Sequence, residues 1–426
     1  MPRIPHGLFG LLWLVNRTGA NASAIPLSPP KTSIKGDIQL VIPNRASDLE
    51  VGLNNSRLLG GENFTHQKAV LELMHLYLKL FGKGEKSPGS LARRVYFGPK
   101  DYMKDLPEND PFFDFDDQYY KYQTLKRELI SNPKKTNTAF HNSGKHNDFW
   151  REFFKCSAKK RPDLFEPLSE HSFRNNITGE VWDLNEHDPF LASALSMQED
   201  LVLLQKNGES PVIDDLSVCF PSRWNPRGGP SLSIKQVHDI VPKFVPTGRE
   251  AMIQTIMNKL EKPGVRFTRA VHPLPYLHQA TDLNIITLPE GITYTPDNLK
   301  DELFLRLEKQ RFCRGDNVTG GNKAFEDLLW FSIKTYIIPL RAIEACPDFA
   351  NAMLRLHEGF LDEPVEPGKP HDIFLKYRGG TETFIHPLIE YLGNIAKNPS
   401  PENPFEKISL VRIPDRAYKM PPVIVS

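Results

Sequence analysis

The stretches Phe304-Leu-Arg-Leu-Glu-Lys-Gln310 and Leu329-Trp-Phe-Ser-Ile-Lys-Thr-Tyr-Ile-Ile338 decide the fold class. The first alternates apolar and charged residues, as a strand does when one face meets a core and the other meets water. The second alternates similarly and is rich in β-branched and aromatic residues, which suit a pleated, half-buried surface. Gly315, Gly320 and Gly321 lie in a connection long enough to join the two as antiparallel neighbours. Outward from this pair, residues 340–361 read as helix. Residues 249–259 read as an amphipathic helix with Met252, Ile253, Ile256 and Met257 on one side. Residues 267–274 read as irregular, and helical patterns cover 66–81, 111–130, 148–155 and 189–205, with a short hairpin at 176–182. In 111–130 the early Asp114, Asp116 and Asp117 and the late Lys126 and Arg127 suit a helix dipole. The sum is an α+β chain, with a helical N-terminal half feeding a small antiparallel sheet that has flanking helices.

The second informative stretch is 216–242. The apolar run from Leu216 to Phe220 reads as a buried strand. Pro221, Pro226, Gly228, Gly229 and Pro230 then force an irregular loop. Arg223, Trp224 and His238 bring a cation, a flat aromatic and an imidazole to that loop, a combination suited to holding a planar cofactor.

Composition narrows the classes. Lys plus Arg is 53 against 52 for Asp plus Glu, a balance that argues against a nucleic-acid binder. Residues 7–15 are apolar but fall short of the roughly 20 residues a membrane span needs. Their flanks suit a secretory signal or an organellar transit segment, and a cytoplasmic or organellar location is expected over a secreted one. Cys156, Cys219, Cys313 and Cys346 are widely spaced with no Cys-x-x-Cys pair, which argues against an internal iron–sulfur or zinc centre and for reduced, packed thiols. Residues 1–62 read as an N-terminal arm, 63–110 as an apolar helix and linker, 111–362 as the main domain, and 363–426 as a C-terminal helix with a Pro-rich tail.

Several ordered phrases then coincide. Asp117-Gln-Tyr119, Lys126-Arg127, Gln198-Glu-Asp-Leu201, Val218-Cys-Phe-Pro-Ser-Arg-Trp224, Val237-His-Asp-Ile-Val-Pro242, Leu305-Arg-Leu-Glu-Lys-Gln310 and Phe331-Ser-Ile-Lys-Thr-Tyr336 together resemble the haem-dependent oxidative N-demethylases, over about 111–362. The resemblance implies a PAS-like fold holding haem b, whose iron would oxidise a small amine with dioxygen and release formaldehyde. With no Gly-x-Gly-x-x-Gly phrase, P-loop or cysteine cluster in the chain, electrons are expected from a separate flavin or iron–sulfur protein. On this reading His238 is the iron ligand, Arg223 and Arg269 meet the propionates, and Trp224 walls the pocket. Glu308, Tyr336 and His272 are candidates for contact with the substrate or the distal face, and Arg306 lies two residues from Glu308 as a possible ion-pair partner. The chain departs from the family where Arg269-Ala-Val-His272 replaces Arg-x-Asn-Trp and Glu308-Lys-Gln310 replaces Glu-Arg-Gln. His272 is therefore an alternative ligand or a new substrate contact. A PAS-like haem gas sensor and a non-catalytic haem-binding protein are the competing readings.

Overall fold

The structure, a computed structural model, describes residues 104–105, 110, 112–116, 118–131, 138–206, 210–221, 226–234, 236–237, 256–260, 266–271, 293–362 and 384–397. In chain order these hold β1 (Lys104–Asp105), α1 (Tyr119–Ser131), β2 (Ala139–His141), α2 (Asn147–Lys160), β3 (Phe165–Pro167), β4 (Ser172–Asn175), β5 (Val181–Asp183) and α3 (Pro189–Ser196). There follow β6 (Asp200–Gln205), β7 (Val212–Val218), β8 (Arg266–Val271), α4 (Pro296–Glu302), β9 (Phe304–Arg314), the single turn α5 (Gly315–Val318), β10 (Leu328–Pro339), α6 (Pro347–Asp362) and α7 (Ile385–Lys397). The fold is α+β, as the sequence implies. The main sheet runs β1-β8-β9-β10-β6-β7-β2, and β3, β4 and β5 form a second, smaller sheet.

The pair β9 and β10 is antiparallel throughout, from Leu329 opposite Arg314 to Pro339 opposite Phe304. Period-2 alternation gives each of the two strands one row of side chains on either face of the sheet. One face sends Trp330, Leu201 and Leu203 into an aromatic core with Phe112, Phe149, Trp150, Phe153 and Phe190. There Trp150 lies 4.4 Å from Phe190 and Phe153 lies 5.3 Å from Trp330, ring centre to ring centre. Helix α2 presents Phe149, Trp150, Phe153 and Phe154 to this core, with Asp148 in its first turn and Lys159 and Lys160 in its last. Helix α3 starts cleanly because Asp188 accepts from the N–H groups of Phe190 and Leu191, and Pro189 fits the first helical position. The opposite face of the sheet packs Val202, Leu204, Ile213, Leu216, Val218 and Leu329 against Val237, Ile256 and Leu260.

Four sequence expectations need correction. Residues 189–205 are not one helix: α3 ends at Ser196, and Asp200–Gln205 is the strand β6. That strand lies between β10 and β7 and is buried on both faces, so its apolar run carries no alternation to announce it. Residues 267–274 are expected to be irregular, but Arg266–Val271 pairs with β9 as β8. The chain up to Gln205 also contributes strands β1, β2 and β6 to the sheet, so it is not purely helical. Finally, Asp114 and Asp116 precede α1, which has no acid in its first turn and no base in its last, so the helix-dipole reading fails. The hairpin at 176–182 is present as the β4–β5 connection, with Gly179 at φ 75°. The four cysteines are free thiols, and among the described residues no helix is long and apolar enough to cross a membrane. The expected helix at 66–81 lies outside the described residues.

The β9–β10 connection leaves no room at Gly315. A Cβ there would run into the Phe325 carbonyl and sit 3.0 Å from Leu328 Cβ. Gly315→Ala should therefore lower stability by roughly 1–3 kcal/mol, read as a fall in melting temperature. An unchanged melt would contradict this close approach.

Candidate functional site

The register of β9 and β10 sorts their polar residues into two sets. On the aromatic-core side lie Lys309 and Arg311 from β9, with Ser332, Lys334 and Tyr336 from β10. On the other side lie Glu308, Gln310 and Phe312, with Phe331, Ile333 and Thr335.

The first set joins a buried ion network. Asp114 accepts from Arg311 Nη2 at 2.6 Å, from Lys309 Nζ at 3.0 Å and from Tyr336 Oη at 2.8 Å. Its own N–H donates to Glu199 Oε1 at 2.5 Å, and Arg311 Nη1 reaches the same oxygen at 3.4 Å. Asp116 takes hydrogen bonds from the Gln118 N–H and from Gln198 Nε2, both at 2.9 Å, and pairs with Lys334 Nζ at 3.3 Å. Lys334 also lies 4.2 Å from the centre of the Tyr122 ring, and Tyr122 Oη donates to the Thr335 carbonyl. Lys126, wholly buried in α1, donates to the carbonyls of Met197 and Glu199. Arg127 grips Glu180 through two donors and ties α1 to the β4–β5 turn.

The charges within this network are not equivalent. Burial alone would raise Asp114, but the Arg311 and Lys309 charges and the hydrogen bonds from Arg311 and Tyr336 hold it well below the usual carboxylate range. Burial pushes Glu199 up to about 7, aided by the Asp114 charge and opposed by Arg311. Its Oε2 has no hydrogen-bond partner among the described residues. Asp114 is thus held toward its ionised form, and Glu199 is shifted toward its neutral one.

The second face is built differently. Phe312 and Phe331 stack with centres 4.5 Å apart and planes 17° from parallel. Both rings are only partly buried and pack against the Val202–Leu216–Leu329 core, which also receives Val237. Glu308 is buried, and Gln310 Nε2 approaches its Oε2 at 3.4 Å. In the neighbouring strand β8, Val271 lies opposite Glu308 and Arg269 lies opposite Gln310. This face therefore combines a stacked, partly buried aromatic pair and a buried carboxylate, beside the strand that carries Arg269.

Of the sequence-predicted site residues, Glu308 and Arg269 stand on paired strands, with Arg269 two register positions from the partner of Glu308. Tyr336 points away from them into the ion network, so Glu308 and Tyr336 do not meet. Arg223, Trp224, His238 and His272 lie outside the described residues, as do the side chains of Arg269 and Arg306. Pro221, Pro226 and Val237, which flank Arg223, Trp224 and His238 in sequence, are described and buried. Sequence reasoning missed Asp114, Glu199, Arg311 and Lys334. The one signal for Arg311 and Lys334 was charge inside strand patterns, as in Lys309-Gln-Arg311 and Ser332-Ile-Lys334; Asp114 and Glu199 lie outside the strands.

Compared with known families, residues 104–378 match the family described as haem-dependent oxidative N-demethylase, alpha subunit-like. No curated protein matches the chain.

Removing one partner of the ion network should be costly. Arg311→Met leaves Asp114 and Glu199 buried with less compensation and should cost about 3–5 kcal/mol in a denaturant titration. Lys309→Met, at the partly exposed edge, should cost less. Glu199 also sets a pH dependence. Its pKa is raised on folding, so its contribution is complete below its ordinary value of 4.5 and is lost as pH climbs through about 7. Between about pH 5 and about pH 8, wild type should lose melting temperature relative to Glu199→Gln, which cannot ionise. Parallel pH profiles for the two proteins would show that Glu199 is already charged.

Proposed function

Because the chain belongs to the haem-dependent oxidative N-demethylase, alpha subunit-like family, we propose that it is a haem-dependent monooxygenase that removes an alkyl group oxidatively from a small amine. The observation that carries this reading is the Phe312–Phe331 face of the sheet. The partly buried edges of this stacked pair offer an apolar wall for haem b, and the arginines that the family resemblance assigns would meet its propionates. On this assignment His238 ligates the iron, Arg223 and Arg269 hold the propionates, and Trp224 closes the wall. When bound, the haem supplies the dioxygen chemistry, while the protein supplies binding, orientation and electrostatics.

Glu308 is then the substrate anchor. A buried carboxylate favours a cationic amine, and Gln310 restricts where that carboxylate points. Tyr336 is engaged with Asp114 and acts as support for the sheet. His272 stands where the family has an aromatic ring, which favours an amine other than the family's usual one. Electrons come from a separate flavin or iron–sulfur protein. The altered 269–272 segment also suits a haem sensor, and sustained substrate-dependent dioxygen consumption separates the two readings.

Protein from haem-replete cells should show a Soret band and release an aldehyde from an alkylamine only when a reductant is supplied. His238→Ala should abolish the wild-type band shape, and Glu308→Gln should raise KM for the amine by at least about tenfold while leaving the band in place. A colourless protein that takes up no haem on reconstitution overturns the proposal. An unchanged spectrum in His238→Ala moves the ligand assignment to His272.

A further inference from the structure

We infer that Asp200 is the positioning residue for the proposed cofactor loop, because its buried carboxylate fixes the point at which that loop leaves the sheet. For its functional consequence this inference rests on the haem reading above; its geometry does not. Asp200 is the first residue of β6, one strand from β10, and it is 1% exposed. Its Oδ1 accepts the Cys219 N–H at 2.8 Å and its Oδ2 accepts the Phe220 N–H at 2.9 Å. Both amides lie just past Val218, where β7 ends and the strand ladder no longer supplies acceptors. Buried N–H groups at such an exit need a partner, and an ionised carboxylate taking two adjacent amides binds them more firmly than a neutral acceptor would.

The clamp is itself held. Lys126 binds the carbonyls on either side of Gln198, Gln198 is bonded to Asp116, and Glu199 is bonded to the Asp114 N–H. Phe220 is buried, with its ring against Tyr122 at 5.5 Å between centres. The far end of the loop is fixed to the other end of β7. The Ser231 N–H donates to the Ile213 carbonyl, the Ile213 N–H to Leu232, and the Ile234 N–H to Pro211, while Ser233 bridges to Val212. Arg223 and Trp224 follow Phe220 by three and four residues, and His238 follows the buried Val237. Asp200 therefore sets the first of two anchors: Arg223 and Trp224 fall between them in sequence, and His238 follows the second by four residues. As a positioning residue it acts through the backbone of Cys219 and Phe220.

The test is Asp200→Asn in the full-length protein, read by amide hydrogen exchange and by haem titration. Asn keeps the size but turns an NH2 toward one of the two amides, leaving that donor unmatched. Exchange in 219–237 should accelerate by at least about tenfold, with peptides from α2 and β10 unchanged. Haem should bind at least about tenfold more weakly or with a shifted Soret band. Unchanged exchange at 219–220 overturns the clamp, and acceleration spread evenly over the sheet overturns a local role in favour of general destabilisation. Local acceleration with wild-type haem binding and spectrum overturns the link to the cofactor. If wild type itself takes up no haem, the functional reading fails, and the exchange arm still decides the clamp. Should the Asn variant not fold, Asp200→Ser, which leaves room for a bridging water, is judged by the same exchange criteria.

Discussion

The fold depends on the seating of Asp114 between Arg311, Lys309 and Tyr336. Removing a carboxylate and a guanidinium from water is expensive, and their attraction offsets that cost only when geometry and remaining hydrogen bonds are nearly complete. At Asp114 they are: one oxygen faces two cations, the other a phenol, and the backbone of the same residue is held by Glu199, while Glu199 Oε2 and Arg311 Nε have no hydrogen-bond partner among the described residues. The opposing charges belong to residues almost two hundred positions apart, so the network closes only when β9, β10 and the segment before α1 have all come together. Incomplete arrangements leave a bare buried charge. The cluster therefore penalises alternative folds as well as stabilising this one.

Gln198, Glu199 and Asp200 show how such a network organises a chain. Three consecutive side chains reach three different places: the 114–116 segment through Gln198 and Glu199, strand β9 through Glu199 and Arg311, and the end of β7 through Asp200. Lys126 binds the backbone beneath them. These residues recur in the phrases by which the sequence resembles its family. Phrases scattered along the chain are thus neighbours in space, and most of what makes them recognisable is support rather than chemistry.

The period of β9 and β10 does not separate a buried row from a solvated one, since Arg311, Ser332 and Lys334 are buried on the aromatic-core side and Glu308 and Thr335 on the other. The sequence still revealed both strands by that period, and α2 by its apolar stripe. It hid β6, since Leu201-Val-Leu-Leu204 is buried on both sides and has no period to display. It hid β8 because Arg266-Phe-Thr-Arg-Ala-Val271 sits beside breaker-rich sequence and gains its strand character from pairing with β9. Asp114 and Asp116 were misread because helix capping is a local explanation, whereas their partners are distant in sequence. Of the candidate site, the closeness of Glu308 to the strand of Arg269 follows once β8 is paired. The opposition of Glu308 and Tyr336 follows from register, which spacing within one strand cannot give.

Register also explains how support and site coexist in one strand. Along β9, Lys309 and Arg311 serve the ion network while Glu308, Gln310 and Phe312 shape the other face. A slip of one residue would exchange the two sets, placing Glu308 on the side of Asp114 and Arg311 on the opposite face. Alternation alone would resist such a slip only weakly, because both rows of β9 are rich in polar residues. The Asp114–Arg311 pair resists it strongly, since the slipped register buries carboxylate beside carboxylate without a cation. The electrostatics on the closed face thus determine which side chains the other face presents, and Glu308 lies on the Phe312–Phe331 face because Arg311 is held on the opposite one.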